Sequence, residues 1–242
     1  MNFSDTPRTT PSAHARRRPM GPHPGIVGAV SLALVIASLL VAAPMGGSPS
    51  FGSLAGAPQD QYGTTTQWSA MLLLGSAVPL GILAATLYSH LRGQGFRVPG
   101  PAIALFGGIG ASSMLMLSAL VTWTLSHEAI ATDPRLARAL ELLAQSSGGV
   151  AHALGLGLLV AGVAVPGLLG RMLPAPLPWA GLLVAAICEV SVLSLVIAPL
   201  GFLTVLGRFA ALVWLVVIGF ALSRTTGTRT TGSRITTPKE TS

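Results

Sequence analysis

Residues 177–222 read LPWAGLLVAAICEVSVLSLVIAPLGFLTVLGRFAALVWLVVIGFAL. Glu189 and Arg208 are the only charged residues in this apolar run, and Pro199 divides it into two halves. Each half contains about the 20 residues that a transmembrane helix needs to cross a bilayer. The run therefore predicts two antiparallel spans that are joined by a tight turn at Pro199.

The composition of the whole chain also indicates a membrane protein. Of its 242 residues, 51% are hydrophobic and 9% are charged, whereas about 25% of the residues of an ordinary soluble domain are charged. This disfavours a water-soluble fold. The net charge of +7 comes from arginines in the tails and short loops, so we interpret it as a topology signal and predict no nucleic-acid partner.

Six apolar runs are long enough to span a bilayer. They predict an all-α, polytopic helical membrane bundle whose direct partner is the lipid bilayer. We expect disordered tails at residues 1–24, which are basic, and at residues 223–242, which are rich in Thr and Ser. The predicted spans are residues 25–45, 68–89, 98–126, 149–170, 177–198 and 200–222.

The first run has an alternative interpretation as a signal peptide, because Val41-Ala42-Ala43 resembles a cleavage site. Its apolar length exceeds that of a usual signal peptide, so we predict an uncleaved span. Most of the 14 lysines and arginines then fall on one side of the membrane. The positive-inside rule places both termini in the cytoplasm, and we expect the protein in the plasma membrane of a bacterium.

A short helix is predicted outside the membrane, between the third and fourth spans. Asp133 is a suitable N-cap, and Pro134 follows it at the first helical position. Leucines on one face and charged residues on the others make the segment amphipathic, which predicts a helix that rests on the membrane surface. We expect the Ser- and Gly-rich residues 145–149 to end it.

The third span carries a patch of small residues. Small side chains let two transmembrane helices approach closely, so the patch predicts tight packing within the bundle. Such faces also offer a contact for a homo- or hetero-oligomer. The patch consists of Gly107, Gly108, Gly110, Ala111, Ser112 and Ser113.

Glu189 and Arg208 form a candidate intramembrane polar pair. A charged side chain at the bilayer centre costs about 2.5 to 3.5 kcal/mol and usually has a partner. The two residues lie ten positions before and nine positions after Pro199, which gives them matching depth in an antiparallel hairpin. One hypothesis is a structural clamp, and the other is a proton or cation site at Glu189 that Arg208 tunes.

His127, Glu128 and His152 form a candidate polar cluster on the outer side. Their residue types suit zinc, but their spacing matches no known ligand motif, and the sequence after His127 lacks the second histidine of a zinc protease. Nucleotide-binding glycine motifs are also absent from the sequence. We therefore predict no catalytic residue, no metal and no cofactor.

Three segments resemble a group of small six-span membrane proteins that is common in high-GC bacteria and has no assigned activity. The resemblance covers mainly the C-terminal half of the chain. It implies a six-helix bundle with an outside helix after the third span, and it implies no functional residues. The segments are Asp133-Pro134-Arg135-Leu136-Ala137, Leu177-Pro178-Trp179-Ala180-Gly181 and Gly201-Phe202-Leu203-Thr204-Val205-Leu206-Gly207-Arg208.

These patterns favour a multi-pass membrane protein that is not an enzyme and acts as an accessory or sensory subunit. The alternative is a small transporter, coupled to protons or another cation, that uses Glu189. A third hypothesis is a membrane enzyme without a recognised motif.

Overall fold

The chain folds into a bundle of helices, as the sequence predicts. A computed structural model describes residues 23–42, 62–95, 98–127, 130, 133–170 and 174–228. Throughout these residues the regular structure is helical, with no strand. The all-α fold is therefore confirmed. Residues 1–22, most of the loop after the first span, Glu128 and the tail after Thr228 lie outside the described residues.

Seven α-helices and three shorter irregular helices make up the described structure. A π-helical turn, Ser146–Ala151, joins α4 to α5, and two 3₁₀ segments, Ser191–Leu195 and Ala198–Leu200, lie between α6 and α7. The α-helices are α1 Pro24–Ala42, α2 Tyr62–Gly93, α3 Gly100–Leu125, α4 Pro134–Gln145, α5 His152–Leu169, α6 Pro176–Val190 and α7 Gly201–Thr228.

Within the described residues, six helical stretches are long and apolar enough to cross a membrane. The protein is thus a multi-pass membrane protein. Four of these stretches begin within a few residues of a predicted span. The helix α2 begins at Tyr62, before the predicted start at Trp68, and the fourth stretch begins at Pro134, before the predicted start at residue 149. The backbone of α7 also continues to Thr228, past residue 222, where we predicted its end.

The fourth span differs most from its prediction. Asp133 caps α4 as expected, because its carboxylate accepts hydrogen bonds from the backbone N–H groups of Arg135 and Leu136. The amphipathic helix does not end at residues 145–149, however. It continues through the π-helical turn into α5, so that Pro134–Leu169 is one helical stretch of 36 residues.

Hydroxyl groups explain why the chain stays helical there. Ser146 Oγ donates to Leu142 O at 2.6 Å and Ser147 Oγ donates to Leu143 O at 2.7 Å. Both bonds run back along the helix and hold its backbone. The two glycines that follow were interpreted as a helix end, but Gly148 is buried against Ser118 of α3. The close packing against Ser118 therefore explains why residue 148 is a glycine.

The small-residue patch of α3 packs against α5 and α2. A Cβ atom added to Gly107 would lie 2.7 Å from Gly155 O, so the two backbones are almost in contact. Ser112 Oγ donates to Ala77 O of α2 at 2.9 Å. The predicted close packing is confirmed for these residues, whereas a Cβ atom added to Gly110 would meet nothing within 4 Å.

This packing gives a direct test of the fold. A Cβ atom at Gly155 would lie 2.6 Å from Ala111 N and 2.8 Å from Ala111 Cα. We expect Gly155→Leu to lower the free energy of unfolding by about 1 to 3 kcal/mol, because backbone atoms cannot move aside easily. Gly110→Leu is the matched control and should change it by less than about 0.5 kcal/mol. Thermal unfolding of the purified variants in detergent compares them, and equal stability would contradict the described contact.

Candidate ligand-binding cavity

Arg208 of α7 is a buried cation inside the bundle. Its side chain is 2% exposed. Nη1 donates a hydrogen bond of 2.8 Å to the backbone oxygen of Gly148, so the arginine joins α7 to the π-helical turn. A charge-assisted bond of this kind is stronger than a bond between neutral groups.

The π-helical turn makes that acceptor available. A π-helical turn shifts the backbone hydrogen bonds from i−4 to i−5, which leaves a carbonyl near the turn without its usual partner. Two carbonyls here accept bonds from side chains of other helices. Gly148 O accepts from Arg208, and Ala144 O accepts from Ser118 Oγ at 2.8 Å. Both buried side chains thus stabilise the local departure from α-helical geometry.

A second irregular segment lies between α6 and α7. After Val190 the fifth span tightens into the first 3₁₀ segment, and Ile197 then adopts φ −115° and ψ 88°, outside any helical region. The prediction of a continuous helix to residue 198 is therefore wrong for the last turns. The side chain of Ser194 lies 3.5 Å from Thr204 of α7, measured between the hydroxyl oxygens.

A cavity of about 410 Å³ lies between these two irregular segments and α7. Most of its lining is apolar, and its polar groups are one guanidinium, one amide and several hydroxyls. This composition is typical of a small-molecule site, where a few polar groups orient a ligand among apolar side chains. The lining residues are Leu142, Gln145, Ser146, Gly149, Val150, Ser194, Leu195, Ala198, Gly201, Thr204, Val205, Arg208 and Phe209.

The geometry separates Glu189 from this cavity. Glu189 is not among the lining residues, its side chain is exposed on the outside of the bundle, and it forms no ion pair or hydrogen bond with another described residue. Cys188 faces α7 instead, because a Cβ atom added to Gly207 would lie 3.0 Å from Cys188 Sγ. One residue later along a helix is a rotation of about 100°, which turns Glu189 away from α7.

The candidate outer cluster is divided between different environments. His152 is fully buried, and its Nδ1 lies 2.8 Å from Ala111 O of α3. His127 is exposed, and its ring packs edge-on against Trp123 with the centroids 4.5 Å apart. Glu128 lies outside the described residues. In the part of the chain that the structure describes, no group of three or more His, Cys, Asp or Glu side chains is placed to hold a metal ion.

Several residues of the cavity were not identified from the sequence. Gln145, Ser146 and Gly149 were interpreted as the end of a helix, and Ser194 was interpreted as part of a regular span. A signal was present, because the Gln-Ser-Ser-Gly-Gly run of residues 145–149 directly precedes an apolar span. Polar and small residues at that position are compatible with a helix end as well as with an irregular wall, and only the tertiary contacts distinguish the two.

Comparisons with protein-family models, curated proteins and solved structures found no match to this chain. The candidate site therefore depends on its own geometry.

The separation of the two charges predicts that they are energetically independent. We expect Glu189→Gln and Arg208→Gln to have additive effects on stability, with a coupling free energy below about 0.5 kcal/mol, since the side chains share no contact. A double-mutant cycle from thermal unfolding in detergent measures this coupling. A value above about 1 kcal/mol, as expected for residues in contact, would indicate that the two groups do pair.

Proposed function

We propose that this protein is a non-enzymatic sensory or accessory subunit of a bacterial plasma membrane that binds an anionic, partly apolar ligand in the cavity at Arg208. The observation that carries the proposal is a buried guanidinium in the lining of an otherwise mainly apolar cavity. With both termini in the cytoplasm, as the distribution of arginines indicates, this cavity lies in the outer half of the bundle and is accessible from the outside or from the outer leaflet.

The chemistry of arginine favours an anion. A cation within the apolar part of a membrane is costly, and residues of this kind often mark ligand or ion sites. The guanidinium group presents five N–H donors in a fixed fork that fits a carboxylate or a phosphate. One of these donors bonds to Gly148 O, which holds the group in place at the cavity wall. A carboxylate or phosphate of a ligand that enters the cavity would form charge-assisted hydrogen bonds with this group.

The apolar lining favours a ligand with a hydrocarbon part. Leucine, valine and phenylalanine side chains form much of the wall, and Ser194 and Thr204 add hydroxyl groups to the same lining. Binding of an amphipathic ligand would bury its chain against the apolar wall and direct its head group to the arginine. A fatty acid or an alkyl phosphate has this chemistry.

The lining supports binding rather than catalysis. Its hydroxyl groups come from serine and threonine, and the described lining residues include no carboxylate, imidazole or amine that would act as a base. A hydroxyl nucleophile needs such a base to react near neutral pH. The alternative hypothesis of a transporter that uses Glu189 receives less support from this cavity, because Glu189 is not among its lining residues.

Filling the cavity tests the proposal without removing Arg208. Gly201 lies on the cavity wall, and a Cβ atom added there would meet nothing within 4 Å. We expect Gly201→Trp to weaken binding of the fluorescent fatty acid cis-parinarate about tenfold, a loss of about 1.4 kcal/mol. Fluorescence titration of the protein in phosphatidylcholine nanodiscs measures the Kd. Gly110→Trp, which fills open space on α3, is the matched control and should leave the Kd unchanged.

Two further comparisons test whether the charge of Arg208 contributes to ligand binding. Wild-type protein should bind cis-parinarate more tightly than its uncharged methyl ester, and Arg208→Gln should remove this difference while Arg208→Lys retains part of it. Laurate and dodecyl phosphate are used as competitors, with dodecanol as the neutral comparison. Equal competition by dodecanol, or equal Kd values for Gly201→Trp and Gly110→Trp, would contradict an anion site in this cavity.

A further inference from the structure

Glu189 lies at the edge of an exposed stripe of the fifth span. The stripe is a row of exposed apolar side chains, which include Leu183 at 64%, Val190 at 46% and Leu193 at 51% exposed. Glu189 is exposed beside them, and its Oε1 lies close to Gly157 of α5. The stripe is thus an apolar surface with one acidic group at its edge.

The depth of this carboxyl group makes its exposure costly. Glu189 lies thirteen residues after Pro176, where α6 begins, which corresponds to about 20 Å along the helix axis. The hydrocarbon core of a bilayer is about 30 Å thick, so the group lies within the hydrocarbon and not at its edge. An acidic side chain at such a depth usually faces the protein interior and has a partner there.

Among the described residues, Glu189 has neither of these arrangements. It forms no hydrogen bond or ion pair with another described residue, and its side chain points away from α7. The carboxyl group therefore needs a partner from beyond the described part of the bundle, or it stays protonated.

We propose that Glu189 is the docking point for a transmembrane helix of a different protein, and that this helix carries a lysine or an arginine at the same depth. The apolar stripe would pack against that helix, and the basic residue would neutralise Glu189. Charge complementarity carries this assignment, because a pair of opposite charges replaces one uncompensated charge in the hydrocarbon. The inference does not depend on the cavity at Arg208 or on its ligand.

The described residues of a second copy of this chain do not supply the required cation. Among the described residues, the arginine within the apolar part of the spans is Arg208, which is 2% exposed and directed into the bundle. Arg92 lies at the end of α2, and Arg135 and Arg138 lie at the outer end of α4. A symmetric dimer at this stripe would place two carboxyl groups together, which opposes association when both are ionised.

A designed probe helix tests this inference. We would titrate the full-length protein in phosphatidylcholine vesicles with a polyleucine transmembrane peptide that carries a dansyl group and one central lysine. Energy transfer from the tryptophans of the protein to dansyl reports binding, and the comparison peptide has leucine in place of the lysine. We expect the lysine peptide to bind at least tenfold more tightly than the leucine peptide.

The variants connect this preference to one side chain. Glu189→Gln should bind both peptides equally, and it should remain folded because the Glu189 carboxylate makes no hydrogen bond or ion pair with a described residue. Glu141→Gln is the matched control, because Glu141 pairs with Arg138 at 3.3 Å in α4 and is not on the stripe. This control should retain the full preference for the lysine peptide.

Three outcomes would overturn the inference. The first is equal binding of the two peptides to the wild-type protein, and the second is a preference that survives Glu189→Gln. The third is self-association of the protein, measured by energy transfer between labelled copies in the same vesicles, that Glu189→Gln abolishes. That last result would identify the occupant of the stripe as a second copy of this chain.

Discussion

The hydrogen bond from Arg208 Nη1 to Gly148 O connects α7 to the π-helical turn of the fourth span. It fixes the buried cation at one point of the cavity wall, and it also satisfies a carbonyl at the π-helical turn. Without that turn, the carbonyl would bond within its own helix and the arginine would lose its acceptor. Without the arginine, this buried carbonyl would lose a hydrogen-bond donor, and no water is present in the surrounding medium to replace it. The two features therefore depend on each other.

In other parts of the bundle, side chains also donate hydrogen bonds to backbone carbonyls of neighbouring helices. Backbone groups in a membrane must find their partners within the protein, and buried serine hydroxyls provide several of them. Ser31 of α1 donates to Ser76 O at 2.9 Å, and Ser118 of α3 donates to Ala144 O at 2.8 Å. Each bond joins two helices whose apolar surfaces do not by themselves specify a rotation. These few polar contacts thus help to define the register of the bundle.

The sequence predicts those features of the fold that depend on length and composition. Six apolar runs give six candidate spans, and the capping geometry at Asp133 gives the start of α4, because both signals are local in the chain. The continuation of the helix past Gln145 and the irregular end of the fifth span were not predicted, since residues 146–151 and 191–195 depart from α-helical geometry without a proline inside them. Their conformations depend on contacts with Ser118, Arg208 and Thr204, which are distant in the sequence.

The relation between Glu189 and Arg208 shows the same limit for the candidate site. Counting residues from Pro199 gives both groups a similar depth, but depth is one of two coordinates on a helix, and the other is rotation about its axis. The rotation of α6 relative to α7 is determined by the close contact between Cys188 and Gly207. Glycine permits this contact because it has no side chain, but the composition of the two spans does not reveal it. That contact directs Arg208 into the bundle and Glu189 out of it. Two charges that the sequence places together therefore face different surroundings, one a cavity within the chain and the other the lipid-facing surface.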